Sequence, residues 1–550
     1  MNEFAKTGVA LGAAVALSAL AVSMKPGEVR LDLFDDQGEV FFPQFTDGDA
    51  INELEVTAFR EATSDVYAFV VNRDEDGVWR IPSHGNYPAD ATDQMGKAAA
   101  MLIGLEKDAV VGDAKGRHAE YGVVDPLAAG VETEGRGKRV TLKDKAGNVL
   151  ADLIVGNEVE GKSGTFYCRV PDKKRIYKTK LQGSLSTQFA DWIETDLLKA
   201  KSWNIDKIVF DNYSVDEQRG QVVKGDVLVL EKGEDNKFAL AGLDAAAEET
   251  NVEKATEVGN TLGEIKIVGV RPKPEGLTAR LERANGFEAQ ILRQQLQSKG
   301  FFLAGGKLYS NEGDLIFETK SGVRYTLRFG ELVYGEGDEL TAGIGSAEAA
   351  EGGDEPAANN RYLMVGAEFV EDLLEKPAGP RMEAVELDKR RLARTTIEGI
   401  VKAVAAFQAQ NEGALPDGLE ALVAKPAEGE PLLQEVGPDP WGNEYVYAKD
   451  GDAFTVVSYA GDGQPAGSAE NKDVSSAELA YEDTLDEAAD AWKAYDEQVK
   501  TGQGEADELT QRFGPWYYVI DRELFDKLKP SRADLVQKKA ADAPADDGGK

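Results

Sequence analysis

At 550 residues the chain exceeds what one hydrophobic core usually serves, so roughly two to four domains are expected. Its 99 acidic against 62 basic side chains give a formal charge of −37, which opposes binding to nucleic acid or to an anionic membrane surface and favours divalent cations. One cysteine, Cys168, and two histidines, His84 and His118, exclude an intramolecular disulfide and a Cys/His zinc cluster.

Residues 7–24 carry no charge and are rich in Ala, Val and Leu. As a helix rising about 1.5 Å per residue they would span about 27 Å, close to the thickness of a hydrocarbon core. Residues 1–25 are therefore read as a single-pass anchor in the inner membrane. The rival is a cleaved signal peptide, because Ala19-Leu20-Ala21 has the small-x-small form of a cleavage site. In both readings Lys6 marks the cytoplasmic side, and the body of the chain lies in the periplasm.

After the anchor, short strand-like runs alternate with turn residues. Residues 66–71, Asp76-Gly77 and residues 78–81 read as a hairpin, since Asp-Gly supplies the positive φ that a two-residue connection needs. A helical window covers 91–105. Residues 140–142, 149–155, 165–170 and 175–178 read as a meander, punctuated by Lys145-Ala146-Gly147-Asn148 and Pro171-Asp172-Lys173.

The same order of features recurs. Residues 227–231 and 237–240 form a second hairpin, 251–262 a second helical window, and 314–319, 323–329 and 361–365 a second meander. Ser186-Thr187-Gln188-Phe189-Ala190-Asp191-Trp192 is echoed by Leu509-Thr510-Gln511-Arg512-Phe513-Gly514-Pro515-Trp516, each running into a short amphipathic stretch, 193–199 and 519–528.

The fold class expected is α+β, with two repeated β-rich modules flanked by helices, one at 27–203 and one at 204–386 completed by 481–536. A small α+β domain at 387–480 interrupts the second copy. A Gly-, Ala- and Glu-rich flexible loop is expected at 336–360 and a disordered tail at 537–550.

Gly156-Asn157-Glu158-Val159-Glu160-Gly161-Lys162-Ser163 fits the phosphate-loop pattern letter for letter. That chemistry requires Lys and Ser to open a helix whose amides cradle phosphate. Here an alternating, aromatic and β-branched run follows, and Glu158 and Glu160 sit where a phosphate would lie, so a hairpin loop is expected and no nucleotide. Cys168 lies in a strand-like run and reads as a small core residue. No carboxylate pair has a recognisable spacing to a positioned nucleophile, so no catalytic residues are assigned. Trp516-Tyr517-Tyr518-Val519-Ile520 reads as a core anchor at the end of the second module.

In the inserted segment, Asp439-Pro440-Trp441-Gly442-Asn443 leads to a Gly-rich loop flanked by Asp462 and Asp473. Oxygen ligands in a flexible loop suit calcium better than a transition metal, with an ordinary acidic turn as the alternative. This segment resembles the C-terminal part of the major pseudopilin, protein G, of type II secretion systems. The resemblance rests on the helix at 392–410, Leu415-Pro416, Gly418-Leu419, Ala421-Leu422, Lys425-Pro426, the Asp439 to Asn443 run and the loop from Ser458-Tyr459 to Asp473. It implies calcium held by Asp462 and Asp473, with Glu470 and Asn471 as further ligands. Three departures stand out: Ala460-Gly461 stands where the family usually has Gly followed by a small residue, Ala466 replaces a glycine, and residues 387–394 are charged where a pseudopilin has its hydrophobic assembly helix.

The two long modules resemble the domain-of-unknown-function family numbered 4340. The carrying residues are Val78-Trp79-Arg80-Ile81, Tyr87-Pro88-Ala89-Asp90, Tyr121-Gly122-Val123, Asp125-Pro126, Val155-Gly156, Phe166-Tyr167, Arg169 and Tyr177. The resemblance implies an anchored companion of a gliding-type ABC transporter. The functional expectation is therefore a membrane-anchored extracytoplasmic scaffold, not an enzyme, accessory to an envelope transport complex. Two rivals stay open: a pseudopilus-associated component of a type II secretion-like system, and an envelope hydrolase using carboxylates.

Overall fold

A computed structural model of the chain describes residues 36–539, apart from 61–64, 130–132, 184, 195, 218, 275–276, 278–286, 334–359 and 427–428. The expected anchor at 7–24, nearly all of the loop at 336–360 and the last eleven residues lie outside the described residues. No described helix is long and apolar enough to cross a membrane.

The chain is a mixed α+β protein built on two large antiparallel sheets. Alternation creates the first. In β1 (Glu53–Arg60) Leu54 and Val56 point inward, and the same period of two buries Phe69 and Val71 of β2 (Asp65–Arg73). The edge on that side is completed by β3 (Trp79–Ile81) and β4 (Tyr87–Pro88), and α1 (Thr92–Leu102) covers the sheet with Met95, Ala98, Met101 and Leu102. Then come β5 (Ala109–Gly112), β6 (Lys138–Lys143), β7 (Val149–Glu158), β8 (Thr165–Arg169) and β9 (Ile176–Lys180). The spatial order is β4-β3-β2-β1-β6-β7-β8-β9-β5.

The second sheet uses β10 (Ile205–Asp211), β11 (Val227–Lys232) and β12 (Phe238–Leu240), with α2 (Val252–Leu262) packed below, then β13 (Gly269–Pro272). A covering unit follows: α3 (Phe287–Gln297) and the hairpin β14 (Phe301–Ala304) and β15 (Lys307–Ser310). The sheet is completed by β16 (Asp314–Thr319), β17 (Val323–Val333) and β18 (Asn360–Phe369), and by a last strand from near the C-terminus.

Between β18 and that last strand lies the inserted domain. It holds α4 (Ala384–Gln410), α5 (Glu420–Val423), and a three-stranded sheet of β19 (Val446–Asp450), β20 (Ala453–Ser458) and β21 (Val474–Ser475). Ala393, Ile397, Ile400, Val404, Leu422, Tyr445, Val456 and Val474 give it a core of its own. The chain returns along α6 (Leu479–Phe513) to β22 (Trp516–Ile520), all five of whose residues are buried, and ends with α7 (Arg522–Leu528).

The second sheet runs β12-β11-β10-β16-β17-β18-β22-β13. Taken strand for strand in chain order, this is the order β3-β2-β1-β6-β7-β8-β9-β5 of the first sheet. One large hydrophobic cluster spans both sheets, and Tyr87 meets Trp516 edge-on at 4.9 Å where they join.

Three expectations need correction. The echo of 186–192 in 509–516 is one of letters. Phe189–Trp192 is a single 3-10 turn, with no helix or strand among the described residues of 193–199, whereas Leu509 to Phe513 is the last turn of α6, and Trp516–Ile520 is a sheet strand. Residues 481–513, read simply as the end of the second module, form most of a 35-residue helix. That helix approaches the sheet so closely at Gly502 that a Cβ there would lie 2.2 Å from the Ser321 carbonyl oxygen. Finally, structure continues past 537: Val536–Lys538 pairs antiparallel with Glu248–Thr250, because those backbone groups gain ladder partners.

Candidate functional site

The loop 459–473 joins β20 to β21, and Asp439 holds its root. The Ser458 hydroxyl donates to Asp439 Oδ2 at 2.5 Å, while the amides of Trp441 and Asn443 donate to Oδ1 at 3.1 and 2.8 Å. Asn443 Nδ2 then donates to the Ala460 carbonyl at 2.8 Å. One buried carboxylate thus closes its own turn and grips the start of the loop, which explains the Asp-Pro-Trp-Gly-Asn run.

Within the loop, Ala460 and Ala466 both take left-handed φ values, 47° and 65°. Each costs on the order of 1 kcal/mol without glycine. The chain folds back so tightly that a Cβ on Gly467 would lie 1.8 Å from the Asn471 carbonyl oxygen. Asp462 Oδ1 accepts from the Gln464 amide at 3.0 Å, and Asp473 Oδ2 accepts from the Ala466 amide at 3.0 Å. The second oxygen of Asp473, Oδ1, is buried with no hydrogen-bond partner. An orphaned carboxylate oxygen is costly, and a hard cation would satisfy it.

Asn471 lies against Gly461, its Oδ1 3.0 Å from where a Cβ would stand. Glu470 contributes its carbonyl to the loop's support, and its side chain is exposed. Among the described residues no three His, Cys, Asp or Glu side chains gather at metal-holding distance. The donors fit calcium in chemistry, being all oxygen, and a cation here would need main-chain carbonyls beside Asp462 and Asp473.

A residue that sequence reasoning missed supports the loop from behind. Arg390 of α4 is 1% exposed. Its Nη1 donates to the Lys472 carbonyl at 2.7 Å and the Glu470 carbonyl at 3.5 Å, and its Nε donates to Glu482 at 3.0 Å. Glu482, in the first turn of α6, is 5% exposed. The signal was available: Arg390 stands three residues from both Leu387 and Ala393, on the helix's inward stripe.

Elsewhere the chemistry is quiet. β7 runs to Glu158 and β8 starts at Thr165, so no helix follows Lys162-Ser163, and the Gly164 amide donates to the Glu158 carboxylate at 2.5 Å. The loop's own carboxylate takes the amide a phosphate would need. Cys168 is fully buried, and burial pushes its thiol far above the ordinary range. His84 stacks on Phe189 at 4.6 Å, and burial, helped by the charge of Arg271, holds it down to about 4. His118 is lowered by burial against a bond to the Lys174 carbonyl.

Residues 79–280 match the family described as Domain of unknown function (DUF4340), a match that begins at β3 of the first sheet and runs past β13 of the second. Residues 381–477 match Type II secretion system (T2SS), protein G. The chain is similar to the Type II secretion system core protein G of Xanthomonas campestris pv. campestris, 34% identical over 96 residues, covering 16% of this chain and 64% of that protein. It is also similar to the core protein G of Vibrio cholerae serotype O1, 39% identical over 66 residues, covering 10% of this chain and 45% of that one. The chain therefore spans less than two thirds of either relative.

Proposed function

We propose that this chain is a membrane-tethered extracytoplasmic scaffold of a cell-envelope assembly, a binding body and not an enzyme, in which calcium stiffens the loop 459–473. The observation that carries the reading is the placement of a protein G-like region between two neighbouring strands, β18 and β22, of a sheet whose strand order repeats that of the first. That repetition supports two copies of one module, an architecture suited to presenting surface.

The same placement argues against a pilus subunit. The N-terminal half of α4, where a pseudopilin needs a free assembly helix, is committed within the chain. Arg390, Arg391 and Arg394 pair with Glu482, Asp486 and Asp483 of α6, the last two at 2.7 and 2.6 Å. The partner this reading favours is a transporter of the ABC type. Similarity to a secretion component keeps a pseudopilus-associated role as the second reading.

Two measurements test it. Purification from native membranes should bring down a permease with its ATPase; a secretion ATPase instead would favour the second reading. Calcium titrated onto the full chain should raise the melting transition of the insert, by about 2.7 kcal/mol at a hundredfold excess over Kd. The cation assignment fails if there is no rise, or the same rise in Asp462→Ala and Asp473→Ala.

A further inference from the structure

The face of the second sheet turned away from the main core gathers cations in a chain whose charge is −37. Register fixes which side chains share it. Arg271 of the edge strand β13 lies opposite Tyr517 of β22, and Tyr362 of β18 lies opposite Val519, two residues further along β22. Lys273, two residues beyond Arg271, projects to the same side. Lys299 arrives from above, just past α3, in the unit that covers this face with Leu296 and Phe301.

The groups converge on two rings. Lys273 Nζ is 5.5 Å from the centre of the Tyr517 ring, and Lys299 Nζ is 5.6 Å from the centres of both Tyr517 and Tyr362. Arg271 Nη1 donates to the Val270 carbonyl at 2.9 Å, and Lys273 Nζ donates to the Phe513 carbonyl at 3.2 Å, so both are held by neutral acceptors. A fourth cation on this face, Arg328, has its own carboxylate, Asp314, at 3.3 Å. For Arg271, Lys273 and Lys299, no carboxylate among the described residues lies within ion-pair distance. The cations instead oppose one another: the charge of Arg271 disfavours protonated Lys299, and that of Arg328 disfavours protonated Lys273. Burial acts more strongly in the same direction and brings Lys273 to about 8.

Ring faces attract an ammonium but do not neutralise it. Three half-buried cations with no carboxylate partner among the described residues are therefore destabilising until an anion joins them. We propose that Arg271, Lys273 and Lys299, set against Tyr362 and Tyr517, form a binding site for a phosphate-type dianion. The guanidinium supplies a planar fork of donors and the two ammonium groups supply point charges, which suits a multiply charged tetrahedral oxyanion. A single carboxylate would leave most of the charge unanswered. The dianion's source is either a soluble phosphate ester or a phospholipid headgroup. The site stands apart from the loop 459–473 and does not depend on calcium.

The test uses the full chain at low salt. Titration calorimetry with inorganic phosphate and with glycerol phosphate measures the soluble source, and flotation on phosphatidic acid vesicles against phosphatidylcholine vesicles measures the headgroup. Binding to either supports the site if Lys299→Gln and Arg271→Gln each weaken it by about tenfold or more, and if Arg271→Lys weakens it less. Soluble binding alone assigns an ester, and vesicle binding alone a headgroup. The proposal is overturned if wild-type protein binds neither, or if both variants bind as wild type does. Should one variant not fold, the wild-type titrations and the other variant still decide it.

Discussion

Replacing Glu482 with alanine would leave the guanidinium of Arg390, 1% exposed, without its carboxylate. Breaking a buried pair by removing one partner costs about 3–5 kcal/mol, because the remaining charge stays desolvated. Arg390 would keep the carbonyls of Lys472 and Glu470, so the lower end, about 3 kcal/mol, is expected. The insert has a hydrophobic core separate from the main one, so a single melting point for the chain is a poor readout. Native-state hydrogen exchange of the α4 amides between Ala393 and Val404 reports the insert directly. Their exchange should accelerate by about two orders of magnitude, since about 1.4 kcal/mol is a factor of ten. Arg390→Met combined with Glu482→Leu should return close to wild-type protection, because an apolar pair removes both desolvation costs. An acceleration below about fivefold in Glu482→Ala, under 1 kcal/mol, would refute the argument. So would a double variant as unprotected as the single one.

The histidine and the cysteine give two further predictions. His84 has its folded-state value depressed to about 4 from an ordinary 6.5, so the unfolded chain takes up the proton first as the pH falls. Its stabilising contribution is complete above 6.5 and is lost progressively between 6.5 and 4, amounting to about 3 kcal/mol. Exchange at Phe69, whose ring meets that of His84 edge-on at 5.8 Å, should steepen across that window in wild type and flatten in His84→Phe; equal slopes would contradict the assignment. Cys168, buried and held as the thiol, should resist alkylation in the native protein and react at the rate of a free thiol in denaturant. Fast native labelling would contradict its placement.

What the sequence made legible was local. Asp76-Gly77 marks its hairpin because positive φ is needed there, and the four-strand run from β6 to β9 follows from period-two burial between short turns. The pairing of β13 with β22 spans some 250 residues of chain, and no adjacent pattern encodes it. The 35-residue α6 was obscured by its many carboxylates and by Gly502 and Gly504, residues that usually argue against a helix. Gly502 is there for close approach to the sheet, which only the tertiary fold reveals.

The candidate loop divides the same way. Asp462 and Asp473 were readable from a Gly-rich loop between acids, and the structure sets both within the fold-back. Asp439 holds that loop from below through the Ser458 hydroxyl, and Arg390 holds it from behind through the Lys472 and Glu470 carbonyls, partners distant in sequence that no local pattern announces. Sequence spacing marks the acids of a loop more readily than the groups that hold the loop in place.

On the proposed reading the body of the chain lies beyond the membrane and is tied to it. Treating intact spheroplasts of the source cell with protease, against lysed ones, tests this most directly, with fractionation of the surviving fragment. The body should then be digested without lysis while a short N-terminal fragment stays with the membranes. Protection until lysis, or a full-length chain in the soluble fraction, would contradict it.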